Sequence, residues 1–387
     1  MQNIFEKILG GKFKREITEL YVSMAIHDLA TWMLDIFEPI FIFTLFHSLI
    51  KVVLFYAVAY TLYVFLLPIG GKIAARYGFE HSIFYSIPVA IIYYVILYNM
   101  PSFPYLCFYL GALLLAIFKI LFWPAYHANF AHYGNSDNRG GEVSGIFALS
   151  NIIGIIGPLL GGLIIAKFGF KALYFTGALM YFISAIPLFT TAEQFTPGHF
   201  SYKDAFGRII KPQGVYTRRD QIAYMACAEE FSAYLLWPMF IYFTVGSISK
   251  MGGLITASLL FVAIITVYIG RLANNSLNGK KIFKWSVILN SFIWLIRPFV
   301  ASIIGIFSLD VISRNLYNSL WVPFMSFIYK KGEKTGYLKY VMFFEMNLAI
   351  GKMLFAWLLL IILCFTQSWF VLFGITGIIG LLYLNFS

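Results

Sequence analysis

Apolar runs of about 20 residues recur from one end of this 387-residue chain to the other. That recurrence constrains the fold more than any other feature. A helix crosses the roughly 30 Å hydrocarbon core of a bilayer in about 20 residues. Inside lipid every backbone amide must find its partner within the structure, so only helices and closed barrels span it. Continuous apolar runs, rather than alternating ones, select helices. Sixty per cent of the residues are hydrophobic and only 12% charged, a balance far from that of a soluble domain. The expected class is an all-α integral membrane protein with twelve transmembrane helices. They are read at 19–46, 49–69, 82–100, 104–131, 142–166, 171–191, 221–246, 250–273, 283–300, 302–329, 338–366 and 368–386.

A net charge of +11 raises the question of nucleic acid, but the basic residues are placed for a membrane. Most of the 28 Lys and Arg precede span 1 or fall in the even-numbered connections, among them Lys72, Arg76, Arg139, Lys203, Arg208, Lys211, Lys280, Lys281, Lys330 and Lys331. Lys51, Lys167, Lys171, Lys250 and Arg297 lie on the other side. By the positive-inside rule both termini are expected in the cytoplasm, with the chain in a cytoplasmic (inner) membrane. Residues 1–18, with Phe5, Ile8, Leu9 and Phe13 among basic neighbours, read as a cytoplasmic amphipathic segment. Its apolar core is too short for a signal peptide. Cys107, Cys227 and Cys364 fall inside spans and offer no disulfide framework. His27, His127 and His132 share no ligand spacing, so neither a metal nor another cofactor is expected. The implied partners are a small-molecule substrate, a proton or other coupling ion, and lipid, for a chain acting as a monomer.

The polar stretch between spans 6 and 7 divides the chain into a six-helix bundle at 19–192, a cytoplasmic linker at 193–220 and a second bundle at 221–387. The halves resemble each other. MAIHDLATWMLDIFEPIFIFTLF in span 1 aligns with MACAEEFSAYLLWPMFIYFTV in span 7, and ILFWPAYHANFAHY in span 4 with SLWVPFMSFIYKK in span 10. Likewise GGKIAARYG after span 2 resembles IGRLANNSLNGKK after span 8. Three correspondences in one order indicate a duplication, hence two pseudo-symmetric bundles with a site near the midplane between them.

Gly71-Lys72-Ile73-Ala74-Ala75-Arg76-Tyr77-Gly78 resembles the loop signature of the major facilitator superfamily, with Gly71, Arg76 and Gly78 at motif positions. Ala75 replaces the acid of that signature, and Phe79-Glu80 replace its basic pair. The second-half loop keeps Gly279-Lys280-Lys281 but has Asn274-Asn275 where an acid is expected. Arg139, leading into span 5, and then Gly157-Pro158-Leu159-Leu160-Gly161-Gly162 are similar to the span-5 glycine-proline motif of the family's proton-coupled drug exporters. The resemblance covers essentially the whole chain and implies secondary transport by alternating access. For Gly157, Pro158, Gly161 and Gly162, small residues let helix backbones approach closely, and the proline bends the helix. Static packing and a part in a rocking motion both remain open.

Ionisable groups deep in a bilayer cost several kcal/mol and mark pathways or pairs. At about 100° per residue, Asp28 and Asp35 share one bearing on span 1 with Trp32 between them. Glu38 lies one turn beyond, toward the outer interface. This acidic stripe, together with Glu229 or Glu230 of span 7 and Glu345 of span 11, supplies candidates for proton or substrate coupling. Of the adjacent Glu229 and Glu230, one is expected to face the cavity. The alternative reading is structural pairing with Lys119, Arg314 or Lys352, and Asp310 stands one turn before Arg314. Lys119 is expected to neutralise the span-1 acids, the alternative being attraction of an anionic substrate. Trp32, Trp123 and Trp321 are candidates for an aromatic cavity lining.

No phosphate-binding loop of the ATPase type is present. The leading reading is therefore proton-coupled export of a hydrophobic or amphipathic compound. Alternatives are ion-coupled uptake of a small nutrient or organic anion, and a transport-inactive receptor or lipid scramblase. An intramembrane aspartyl hydrolase is disfavoured, because the acids lie on matched helices without an accompanying catalytic motif, so an enzyme is not expected.

Overall fold

A computed structural model describes residues 15–133, 139–189, 200–273 and 276–386. The amphipathic segment read at 1–18 lies mostly outside these residues, as do Asn274-Asn275, residues 193–199 of the linker and the side chain of Arg139. Every regular element among the described residues is a helix. The twelve spans follow the sequence reading closely. Span 1 is Arg15–Leu34 continued by Glu38–Phe46, span 2 is Leu49–Tyr77, span 3 is Phe79–Asn99, and span 4 is Pro104–Tyr133. Spans 5 and 6 form one run, Arg139–Ala185, broken at Gly169 (φ 79°). Span 7 runs from Arg218 to Val245 in short pieces, followed by Ile248–Ala273, Ser276–Ile296, Ile303–Thr335, Tyr337–Phe365 and Trp369–Gly380 as spans 8 to 12.

The connection after span 2 differs from expectation. The signature Gly71–Gly78 is not a loop, because helix continues to Tyr77 and resumes at Phe79. Only Gly78 stands between them, at φ 103°, a conformation that L side chains avoid and glycine adopts freely. One residue therefore reverses the chain.

Spans 1 and 7 are both interrupted, at matched places. In span 1, Asp35, Ile36 and Phe37 form a turn before Pro39. In span 7, a 3-10 turn at Ala226–Ala228 and a π turn at Ser232–Leu236 precede Pro238. A proline lacks the amide its helix needs and clashes with the carbonyl four residues earlier, so the aligned prolines of the duplicated sequence break both helices.

Glycines set how the bundles meet. A Cβ on Gly154 or Gly157 would lie 2.8 or 2.6 Å from Trp32 atoms, and one on Gly161 would lie 2.4 Å from the Met33 carbonyl oxygen. The opposite face of span 5 meets span 8 of the other half, where a Cβ on Gly252 would lie 2.4 Å from the Pro158 carbonyl oxygen. Span 5 is thus held close to span 1 and span 8 at once, as the small-residue pattern implies. Span 2 packs against span 11 across the seam. The linker contributes a helix, Tyr202–Ile210, and buried Phe200 beside Gly71 and Met342.

Candidate functional site

The break in span 1 displays Asp35. Its side chain is exposed, within electrostatic range of Glu38 and Lys119, and carries no hydrogen bond or ion pair among the described residues. Asp28, one-third exposed, lies 3.7 Å from Nδ1 of His27. His27 is itself buried and stacked on Phe122 at 4.3 Å. The stripe does not continue outward to Glu38. The turn at residues 35–37 redirects the chain, so Glu38 is 4% exposed and accepts a 2.7 Å hydrogen bond from Tyr56 Oη. It is an interior group and not one at the outer interface.

Glu229 and Glu230 diverge, as neighbours on an irregular helix must. Glu229 turns into the second bundle, where its Oε1 accepts from Trp294 Nε1 at 2.5 Å and Asn290 Nδ2 at 3.0 Å. Glu230 turns toward span 11 and pairs with Lys352 at 2.5 Å, with the Tyr317 hydroxyl donating to its other oxygen. Lys352 Nζ lies 5.7 Å from the Tyr60 ring centroid, and Lys119 Nζ 5.6 Å from the same ring. Lys119 is not ion-paired among the described residues, although it lies within electrostatic range of Asp35, Glu38 and Glu345.

Asp310 and Arg314 form the internal pair their spacing allows, at 2.8 Å, and Trp237 Nε1 donates to Asp310 at 2.8 Å. The Arg314 guanidinium carbon lies 5.7 Å from the Trp32 ring centroid, which joins span 10 to span 1. Arg297 departs from its expected place on the far-side surface. It is 2% exposed, 3.5 Å from the Trp294 ring centroid and 4.3 Å from that of Trp237, and donates to Ser313 Oγ. Two indole faces accommodate a guanidinium that the sequence alone consigned to water.

Glu345 is buried and accepts from Tyr63 Oη at 2.8 Å, with His127 Nε2 at 3.3 Å. Trp32 donates to Ser150 Oγ at 3.3 Å and packs on the span-5 glycines. Trp123 is half-buried and stacks on His127, with centroids 5.6 Å apart. Trp321 is 5% exposed among Tyr317 and Phe324, so it fills the core and does not line a cavity. Gly71 accommodates Phe200, and Arg76 is exposed over Tyr77.

The sequence reading weighed His127 only as a metal ligand and passed over Tyr56, Tyr63 and Tyr317. The chain has 26 tyrosines, and nothing in the local pattern separates the few that meet carboxylates from those that pack. For His127 a signal existed: it lies one turn after Trp123, at the segment matched between spans 4 and 10.

The sequence profile described as Major Facilitator Superfamily matches residues 20–228, more than half of the chain. Compared with curated proteins by sequence, the chain matches none. Its fold is similar to that of the human organic anion transporter MFSD10 (TETRAN), at 14% identity and a TM-score of 0.68, over 96% of this chain and 98% of that one. It is also similar to a variant of the E. coli fucose:proton symporter FucP, at 12% identity and a TM-score of 0.69, with the same two coverages. FucP in the outward conformation matches at 14% identity and a TM-score of 0.68. Such identities carry the fold and not the substrate. With its profile match, its helices and its two-bundle architecture, this chain belongs to the Major Facilitator Superfamily, whose members are membrane transporters and not enzymes.

Proposed function

We propose that the chain is a secondary active transporter that exports a hydrophobic or amphipathic small molecule in exchange for protons, with Asp35 as the coupling carboxylate. One observation carries this reading. Glu38, Glu229, Glu230, Asp310 and Glu345 are buried and each is held by a hydrogen bond or ion pair. Asp35 alone among the span carboxylates is both exposed and free of either among the described residues. A group that must exchange protons with two compartments needs that access. Its place in a broken helix, matched by the break in span 7, fits the discontinuous helices from which transporters build midplane sites. Trp32, half-buried, supplies aromatic surface for an apolar substrate, and Glu230–Lys352 is a second charged element of the same site. In this reading the units 19–192 and 221–387 rock about the seam, and the chain acts as a monomer with both termini in the cytoplasm.

A second reading, uptake of an organic anion, draws on Arg314, one-quarter exposed and set over Trp32. The test uses purified chain in liposomes with an internal pH dye. Lipophilic cations, organic anions and sugars are added singly. The expected result is proton flux with lipophilic cations that falls at least tenfold in Asp35→Asn. Flux that Asp35→Asn leaves unchanged rejects the coupling role. Flux with anions only, lost in Arg314→Gln, selects the second reading.

A further inference from the structure

Side chains from three spans meet at one carboxylate, and a fourth span joins them through a histidine. Glu345 of span 11 accepts Tyr63 Oη of span 2 on Oε2 and faces His127 Nε2 of span 4 on Oε1. His127 Nδ1 is 2.8 Å from Tyr329 Oη of span 10. With the Tyr329 hydroxyl donating to Nδ1, the ring proton sits on Nε2 and points at Glu345, and both contacts are satisfied by a neutral imidazole. Tyr63 and His127 belong to the first bundle, Glu345 and Tyr329 to the second. The cluster therefore crosses the seam, on the side of the molecule where the linker helix lies. Phe130 extends it there, its ring centroid 5.1 Å from that of Tyr329.

We infer that Glu345 is a proton-controlled clasp between the bundles: ionised it holds the linker side closed, and protonated it lets that side open. Both donors to its carboxylate come from the other bundle, so separating the bundles strips the ionised form of two charge-assisted hydrogen bonds, which are the strong ones. The protonated form loses less, and a proton thereby shifts the equilibrium toward the separated state. The other titratable groups facing Glu345 are Lys352 on its own span, Glu230 and Cys227 on span 7, and Lys119 on span 4. Tyr60 of span 2 stands over Lys352 and Lys119. Glu230 and Lys352 pair with each other, and Lys352 and then Lys119 are the cations in range of the Glu345 charge. The inference rests on alternating access but not on Asp35.

The test measures conformation rather than transport. Lys72 and Lys334, exposed on the linker side of spans 2 and 10, are replaced by cysteine in a Cys364→Ser background and spin-labelled in the full chain in nanodiscs. Cys107 and Cys227 are buried. Distance distributions are recorded by double electron–electron resonance between pH 5 and pH 9. A long-distance population that grows as pH falls is expected, and its pH dependence is lost in Glu345→Gln. Tyr63→Phe, which deletes one hydroxyl, is expected to raise the open-to-closed ratio about tenfold at high pH, the worth of one hydrogen bond to a charged group. Distances that ignore pH, or that still respond to it in Glu345→Gln, overturn the clasp. Asp35→Asn that stops transport but leaves the pH-dependent opening intact separates this inference from the coupling role.

Discussion

The contrast between Asp35 and Glu230 shows how one residue type performs two tasks in one protein. Glu230 is 6% exposed and bonded to Lys352 and Tyr317, whereas Asp35 is exposed and unpaired among the described residues. Removing one partner of a buried ion pair strands the other charge in low dielectric, at a cost of about 3–5 kcal/mol. Lys352→Met is accordingly expected to lower the melting temperature in detergent sharply, and adding Glu230→Gln to recover most of that loss. A double variant no more stable than Lys352→Met alone would show that the pair is not the coupled unit. Asp35→Asn, which breaks no bond among the described residues, is expected to leave stability unchanged while affecting transport.

At the scale of the helix, adjacent glycines in span 8 separate packing from propensity. A Cβ on Gly252 meets the Pro158 carbonyl oxygen at 2.4 Å, whereas one on Gly253 meets nothing within 4 Å. Gly252→Ala must push spans 5 and 8 apart and is expected to cost about 1–3 kcal/mol, as overpacking does. Gly253→Ala, in the same helix turn, is expected to be neutral or to gain up to about 1 kcal/mol from helix propensity. Thermal unfolding followed by tryptophan fluorescence distinguishes the two, and equal effects would contradict the close approach of spans 5 and 8. The aligned breaks before Pro39 and Pro238 belong to this scale as well. In each a missing amide hydrogen bond bends the helix beside the charged residues.

Across the whole molecule, the two halves touch at both ends of the seam. Phe43 and Phe243 meet edge to face at 4.9 Å on the side away from the linker, and His127 meets Tyr329 on the linker side. Alternating access requires each set of contacts to part in turn. A Cβ at Gly162 would lie 3.5 Å from Ser249 Cα, within reach of a disulfide. Oxidising the pair Gly162→Cys with Ser249→Cys is therefore expected to arrest transport, and reduction to restore it. Full transport through the cross-linked protein would show that spans 5 and 8 do not separate during the cycle.

The sequence by itself determined the helical class, the approximate placing of the spans and the resemblance of the two halves, whereas the irregular turns inside spans 1 and 7 appeared only in the structure. The first three follow from local rules: hydropathy over about 20 residues for a bilayer and the internal repeat. It also placed the Asp310–Arg314 pair, since four residues on a helix bring side chains together without tertiary help. Only the tertiary structure decided that Glu38 is interior, that Arg297 lies between two tryptophans, that Trp321 is core, and that Glu230 bonds to Lys352 across 122 positions of sequence. The reason is physical. The partner of a charge buried in a membrane bundle is chosen by which helix faces meet, and nothing in the hydropathy of a single span encodes which neighbour it will face.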